Sequence, residues 1–271
     1  MDYKAEVYRA SKVINEKDKA DPFSKDNGRI KVFYGEPSAG LIDCSVYDNR
    51  KDFLMELSKW KYNSNFDFLT CSTGRMLVTY ARETMAEEAI KMGADFILFI
   101  DDDMLVPKDL FPHLIKHAND ADIIAPLCFQ RLPPYNPVLY SMSHTVDEKG
   151  TITVKTDCMK DYTINGLFYP DAVGFGVVLI KTEVLKKVAK PWFFSNTSLG
   201  EDIYFCLKAK QKGFKLLVDT RIKIGHMSSP HAVTELDYIR MNREDLKKLH
   251  PEEMEKGQME MTPLVGVVGE D

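Results

Sequence analysis

The sequence predicts an α/β fold: a mostly parallel central sheet flanked by helices, with a smaller antiparallel β element in the second half. Three observations carry that expectation. Between residues 29 and 100, segments of strand length alternate with segments of helical period in the order β-α-β-α-β, the pattern of parallel strands joined by crossover helices. The third strand, Phe96 to Ile100, is a continuous apolar run, which suits a strand buried on both faces. After Pro137 the rhythm breaks, and Val138–His144 and Thr151–Thr156 read as two antiparallel strands around Asp147–Gly150.

In order, residues 1–28 are polar and read as a peripheral helix or loosely held arm. Arg29 to Tyr34 alternates into a strand that ends in the turn signal Gly35, Glu36, Pro37, Ser38. Such a loop early in an α/β chain is a place where a nucleotide rests, although most only turn the chain. Phe53, Leu54, Leu57 and Trp60 place a helix over Asp52–Trp60, and Phe66 to Cys71 is a second strand closing in Ser72, Thr73 and Gly74. Val78, Ala81, Met85, Ala89 and Met92 mark one face of the next helix, with Gly93 as its stop and Arg82 and Glu83 beside that face.

The strand at 96–100 runs directly into Asp101, Asp102 and Asp103. Three adjacent carboxylates there are costly unless something positive sits among them. A divalent cation answers that need, because hard cations take oxygen ligands. The carboxyl ends of strands are where open α/β sheets bind ligands. The plainer reading is that the acids stop the strand and cap a helix after Pro107.

Leu110–His117 reads as a short helix. His113 and His117 are four apart, but Leu114 stands where a zinc protease needs Glu, so both read as surface histidines. A strand at Asp122–Phe129 leads into a proline-rich loop, Gln130–Pro137, whose Arg131 and Tyr135 are candidates to line a cleft. Val173–Ile180 reads as a strand opened by Gly174 and Gly176, either for close approach of a backbone or ligand or as a simple bulge. A helix over Thr182–Val188, the aromatic cluster Trp192–Phe194 and a helix bounded by Gly200 and Gly213 follow. Glu201 and Asp202 lie in that helix's first turn, where the helix dipole favours acids. A strand at Phe214–Val218 precedes His226, and residues 227–271 hold charged helical segments with a flexible end at Gly266–Asp271.

The 271 residues fit one large domain or two small ones. The formal net charge of -5 argues against bulk nucleic-acid binding. Arg240, Arg243, Lys247 and Lys248 are interleaved with Glu244 and Asp245 and read as a solvated helix face. The five cysteines, Cys44, Cys71, Cys128, Cys158 and Cys206, form no CxxC pair and read as reduced, mostly buried thiols of a cytosolic protein. No signal-peptide core and no run long enough to span a bilayer stands in the sequence, so no transmembrane segment is expected and the cytoplasm is the expected compartment.

The order of these pieces resembles the GT-A (Rossmann-like) glycosyltransferases, and among them the family 2-like enzymes. The matching pieces are Ala81 with Arg82, Ile100–Met104 with Pro107, Gly174–Ile180, Gly200–Ile203 and Ile224–His226, over roughly residues 29 to 228. A DxD triplet is a weak signal by itself; the ordered set is a strong one. The resemblance implies a catalytic domain at 29–228, with a nucleotide-sugar half (29–130) and an acceptor half (131–228), between the 1–28 arm and a 229–271 extension. It implies Mn2+ or Mg2+ held by Asp101, Asp103 and His226, with Asp103 the more direct ligand. It implies donor contacts from Pro37, Ser38, Ser72, Arg82, Asp101, Asp102, Gly174, Phe175 and Gly176. Asp202 matches the catalytic base of inverting members, with Glu201 beside it. The activity implied is transfer of a hexose or pentose from a nucleoside-diphosphate sugar, with UDP as the expected nucleotide, by single displacement. Saccharides, proteins, lipid-linked sugars and modified phage DNA bases are the acceptor classes such enzymes use.

Two departures stand out. Glu83 follows Arg82 where family 2 often has Asn, and Ser72 or Thr73 stands where a uracil-binding carboxylate often closes the second strand. Two rival readings share parts of the pattern. A sugar-phosphate nucleotidyltransferase needs a GxGxRxxP-like loop, and Gly35–Gly40 lacks its arginine. A non-catalytic nucleotide-sugar-binding module is marked by a broken acid set, which is intact here.

Overall fold

A computed structural model of the chain describes residues 29–63, 65–146, 148, 152–196, 199–228 and 231–252. The expected N-terminal arm and the Gly266–Asp271 end lie outside the described residues.

β1 (Ile30–Glu36), α1 (Cys44–Asn63), β2 (Phe66–Ser72), α2 (Val78–Lys91) and β3 (Phe96–Ile100) form the βαβαβ half. β1 lies between β2 and β3 and runs parallel to both, with Val32 in register with Phe68 and Phe96. Every β3 side chain is buried, as a continuous apolar run requires. Successive β3 residues point to opposite faces. Ile97 and Phe99 join one core cluster with Met85, Ala86 and Ala89 of α2, while Phe96, Leu98 and Ile100 join a second with Phe53 and Leu57 of α1. Each of the Phe, Leu, Ile and Met side chains among them stabilises the fold by roughly 1.5–3 kcal/mol on burial.

The chain continues through β4 (Met104–Leu105), α3 (Leu110–Ile115), β5 (Ile123–Leu127), β6 (Leu139–Val146), β7 (Ile152–Cys158), β8 (Leu167–Phe168), β9 (Ala172–Val173), β10 (Val177–Lys181), α4 (Thr182–Lys187), α5 (Glu201–Gln211) and β11 (Leu216–Lys223). Then follow β12 (Gly225–Ser228), β13 (His231–Val233), α6 (Glu235–Met241) and α7 (Arg243–Leu249). The main sheet has the order β2-β1-β3-β10-β5-β11-β8, and only β10 and β8 run against the rest. Two three-stranded antiparallel sheets, β7-β6-β9 and β13-β12-β4, stand beside it. Tyr238 and Ile239 of α6 and Leu246 of α7 are buried in the same cluster as α2.

Several expectations change. The single strand over Val173–Ile180 is two: β9 pairs with β6, and β10 enters the main sheet antiparallel between β3 and β5. The chain crosses between sheets at Gly174–Gly176, where a Cβ on Gly174 would lie 3.0 Å from Val138 Cβ and one on Gly176 3.0 Å from Met104 Sδ. The segment after the acids is β4, paired with β12, before α3 begins at Leu110. α1 starts at Cys44, a full two turns before the predicted start, because its early buried residues include Asn49 and Arg50, which an apolar period does not detect. His117 is buried, not superficial, and its Nε2 lies 2.9 Å from Oδ2 of the buried Asp219. His113 is largely covered and lies 3.1 Å from Asp109 Oδ2. All five cysteines are free, but only Cys128 and Cys206 are buried. Among the described residues, no helix is long and apolar enough to cross a membrane.

Candidate active site

The acids at the end of β3 are anchored from below by α1. Asn49 grips the backbone of Val106 in both directions, donating to its carbonyl at 2.8 Å and accepting from its N–H at 2.9 Å. Arg50 donates to the carbonyls of Asp101 (2.9 Å) and Met104 (3.3 Å) and to Glu36 Oε1 (3.1 Å). Tyr34 donates its hydroxyl to the other Glu36 oxygen at 2.6 Å. Buried side chains thus satisfy backbone groups that leave the sheet at the acidic turn. Neither Asn49 nor Arg50 carries a motif; the only sequence signal is two polar residues on what becomes the inner face of a helix.

The three acids face three different partners. Asp101 accepts from Arg82 Nη2 at 2.7 and 2.9 Å, and its N–H donates to the Gly176 carbonyl at 2.9 Å. Arg82 is 2 % exposed, and it also bonds Glu201 and, at 3.0 Å, the Phe175 carbonyl. Burial pushes the Asp101 carboxyl up to about 6; Arg82 opposes this, while the charges of Asp103 and Glu201 add to it. Burial works against the Arg82 cation, but Asp101, Glu201 and Asp202 raise its pKa beyond the ordinary value.

Asp102 turns to the loop after β1, where its Oδ2 accepts from Ser38 Oγ and from the Ala39 N–H, both at 2.8 Å. Ser38 N–H in turn donates to Thr73 Oγ1 at 3.2 Å, so the loops after β1, β2 and β3 are joined. Pro37 is buried and Ser72 is exposed at the end of β2.

Asp103 Oδ2 lies 3.2 Å from His226 Nε2 and 3.2 Å from Arg131 Nη1. The Met227 N–H donates to the Asp103 carbonyl at 2.7 Å, which ties β12 to the acidic turn. His226 donates Nδ1–H to the Phe129 carbonyl at 2.8 Å. Burial raises the Asp103 pKa, but the hydrogen bond and charge of His226 and the charge of Arg131 outweigh it and hold the carboxyl below the usual range.

The Asp103–His226 pair suits a divalent cation. With Nδ1 committed to Phe129, Nε2 points at Asp103 with either a proton or a lone pair. Two ligand atoms bound at about 2.1 Å and at right angles around an ion sit about 3 Å apart. The backbone carbonyl on Nδ1 is the partner that orients a ligating imidazole. The predicted third ligand is placed elsewhere: Arg82 takes both oxygens of Asp101. Among the described residues no three His, Cys, Asp or Glu side chains converge as a metal group.

Asp202 opens α5. Its Oδ1 accepts from the Ile203 N–H at 2.7 Å, and a Cβ on Gly200 would lie only 2.7 Å from that oxygen. A Cβ on Gly174 would lie 3.6 Å from Oδ2, so the carboxylate borders the glycine segment. Burial and the charge of Glu201 raise the Asp202 pKa, against Arg82 and the N–H groups of Ile203 and Phe175. The helix start that would make it a weak base is therefore outweighed. Tyr140 lies near enough for the Asp202 charge to help raise its phenol pKa, after burial.

The fold is shared with A197 from STIV. The crystal structure of that protein matches with a TM-score of 0.51 at 20% identity, over 76% of this chain and 90% of that one. GalNAc-T7 with UDP, GalNAc and Mn2+ matches with a TM-score of 0.42 at 15% identity, over 89% of this chain and 55% of that one. The catalytic domain of Drosophila beta1,4galactosyltransferase 7 in complex with xylobiose gives 0.39 at 13%, over 70% and 65%. No protein-family model and no curated protein matches the sequence.

At one end of the sheet, then, stand Ser38, Arg82, Asp101, Asp102, Asp103, Gly174–Gly176, Glu201, Asp202 and His226. Phe175 presents its backbone there, its carbonyl to Arg82 and its N–H to Asp202, while its ring is buried against Phe193 and Phe205 with the Arg82 guanidinium over it. Glu83, which stands where the enzymes the sequence resembles often have Asn, accepts from the N–H groups of Trp192 and Phe193 at 3.0 Å each and so holds the aromatic turn that precedes α5.

Proposed function

We propose that this chain is a metal-dependent glycosyltransferase that moves a sugar from a nucleoside-diphosphate sugar, UDP by preference, to an acceptor hydroxyl with inversion. The observation that carries the reading is the Asp103–His226 pair, 3.2 Å apart, with His226 oriented by Phe129. The second support is Asp202, a carboxylate of raised pKa across the glycine segment from Asp101.

In this reading Asp103 and His226 would hold Mn2+ or Mg2+, and the ion would supply positive charge against the departing diphosphate without proton transfer. Pro37, Ser38, Ser72 and Asp102 form the nucleotide side, where three loops are already joined by hydrogen bonds. Arg82 keeps Asp101 and Glu201 in place rather than reaching the nucleotide, since it is buried and its contacts are to those acids. The backbone of Gly174–Gly176 borders the sugar. Asp202 takes the acceptor proton as the hydroxyl attacks the anomeric carbon, and a raised pKa makes it a better base. Tyr140 lies on the acceptor side.

The test is slow donor hydrolysis across a panel of UDP-, GDP- and dTDP-sugars, with Mn2+ and with a chelator. Hydrolysis of at least one donor that stops on chelation is expected. The absence of both binding and metal-dependent hydrolysis for every donor in the panel overturns the reading.

A further inference from the structure

Three arginines surround the acids, and they differ in how they are held. Arg50 and Arg82 are buried and committed to Glu36, Asp101 and Glu201. Arg131 is 56% exposed and pairs with Asp103 through one nitrogen. Its loop is closed at the neck by the Gln130 N–H donating to Asn136 O at 2.9 Å and by the Phe129–Pro137 bridge. Tyr135, at φ 57°, takes the left-handed turn that brings the loop back. The backbone of Arg131 is therefore tethered while its side chain stands in solvent.

The oxygen that Arg131 pairs with, Asp103 Oδ2, is the same one that faces His226. A guanidinium and a divalent cation on one carboxylate oxygen repel each other. An ion pair made by an exposed arginine through a single nitrogen costs little to break. His226 cannot leave as easily, because Phe129 holds its other nitrogen.

We propose that Arg131 is a diphosphate-binding arm, and that its pair with Asp103 is a resting contact exchanged for phosphate oxygens when cation and nucleotide arrive together. The proposal rests on the glycosyltransferase reading and adds to it a residue and an exchange step. It explains why a cation stands at the rim beside the acids: a guanidinium matches phosphate geometry with paired donors, and a lysine does not. It also assigns the resting pair a role in keeping Asp103 neutralised before the donor binds.

The experiment measures two affinities for the full chain, its Arg131→Gln and its Arg131→Lys variants. Mn2+ is titrated alone, followed by its paramagnetic resonance, and UDP is titrated by calorimetry at saturating Mn2+. Arg131→Gln is expected to bind Mn2+ alone more tightly, since a competing cation is gone, yet to bind UDP about tenfold more weakly. Arg131→Lys falls between. An exposed side chain leaves the urea midpoint unchanged, which separates these effects from misfolding. If Arg131→Gln leaves UDP affinity intact, or weakens Mn2+ and UDP together, the arm is wrong while the glycosyltransferase reading stands. If the wild-type chain binds neither Mn2+ nor UDP, the arm falls, and the glycosyltransferase reading falls with it only when no other donor of the panel is bound or hydrolysed.

Discussion

Arg82 and Asp101 form a bond across the floor of the site: Nη2 donates to both carboxylate oxygens, at 2.7 and 2.9 Å, while Nη1 reaches Glu201. One buried cation therefore joins the end of β3 to the start of α5. Removing it leaves two carboxylates without a counter-charge. Arg82→Met is expected to destabilise the fold by about 3–5 kcal/mol, the usual cost of breaking one side of a buried pair. Urea denaturation measures it. A loss below about 1 kcal/mol would mean that the acids find other partners.

Gly200 and Asp202 make a second dependence. The backbone at Gly200 has φ -73°, which any residue tolerates, so Gly200→Ala strains no dihedral. Its new Cβ would instead meet Asp202 Oδ1 at 2.7 Å and displace that carboxylate. Gly200→Ala and Asp202→Asn are both expected to keep donor affinity and lose about 10²–10⁴-fold in transfer rate. Normal transfer by Asp202→Asn would remove it as the base.

The proposed metal site treats the acids differently. Asp103→Ala and His226→Ala are each expected to weaken Mn2+ binding by about tenfold or more, on the order of 1.4 kcal/mol. Asp102→Ala should spare the metal and loosen the Ser38 loop, weakening nucleotide. Equal losses of Mn2+ affinity in all three variants would contradict this division.

Acid stability has its own centre, away from the site. Asp219 is buried and accepts from Arg221 Nε and Nη2, each at 2.8 Å, with His117 Nε2 at 2.9 Å. Burial raises its pKa, but His117 and Arg221 outweigh that and hold the carboxyl far below the usual range. A depressed carboxyl contributes stability that is full above its unfolded pKa of about 3.9 and is lost as pH falls toward its folded value. The stability gap between wild type and Asp219→Asn should therefore be widest near pH 6 and shrink steadily below about pH 5. Urea midpoints across that range give the comparison, and a constant gap would place the acid sensitivity elsewhere.

Much of the fold was legible because its signals are local. Apolar runs and helical spacing set β1, β2, β3 and α2, and the acids at Asp101–Asp103 mark a strand's carboxyl end wherever that strand lies. The order Arg82, Asp101–Asp103, Gly174–Gly176, Glu201–Asp202, His226 is likewise a property of the sequence. What spacing could not reveal was the helix turn holding Asn49 and Arg50, since buried polar residues look like surface ones until their partners are known.

The sequence by itself determined which elements form and which acids end β3. The tertiary structure decided who faces whom: Arg82 with Glu201 across 119 positions, His226 with Asp103 across 123, His117 with Asp219 across 102. It also decided that β10 enters antiparallel between β3 and β5, which sets Gly176 against Asp101. The physical reason is range. Period and propensity act over one turn or one pleat, while these pairings depend on sheet order and on where a chain returns after a hundred residues.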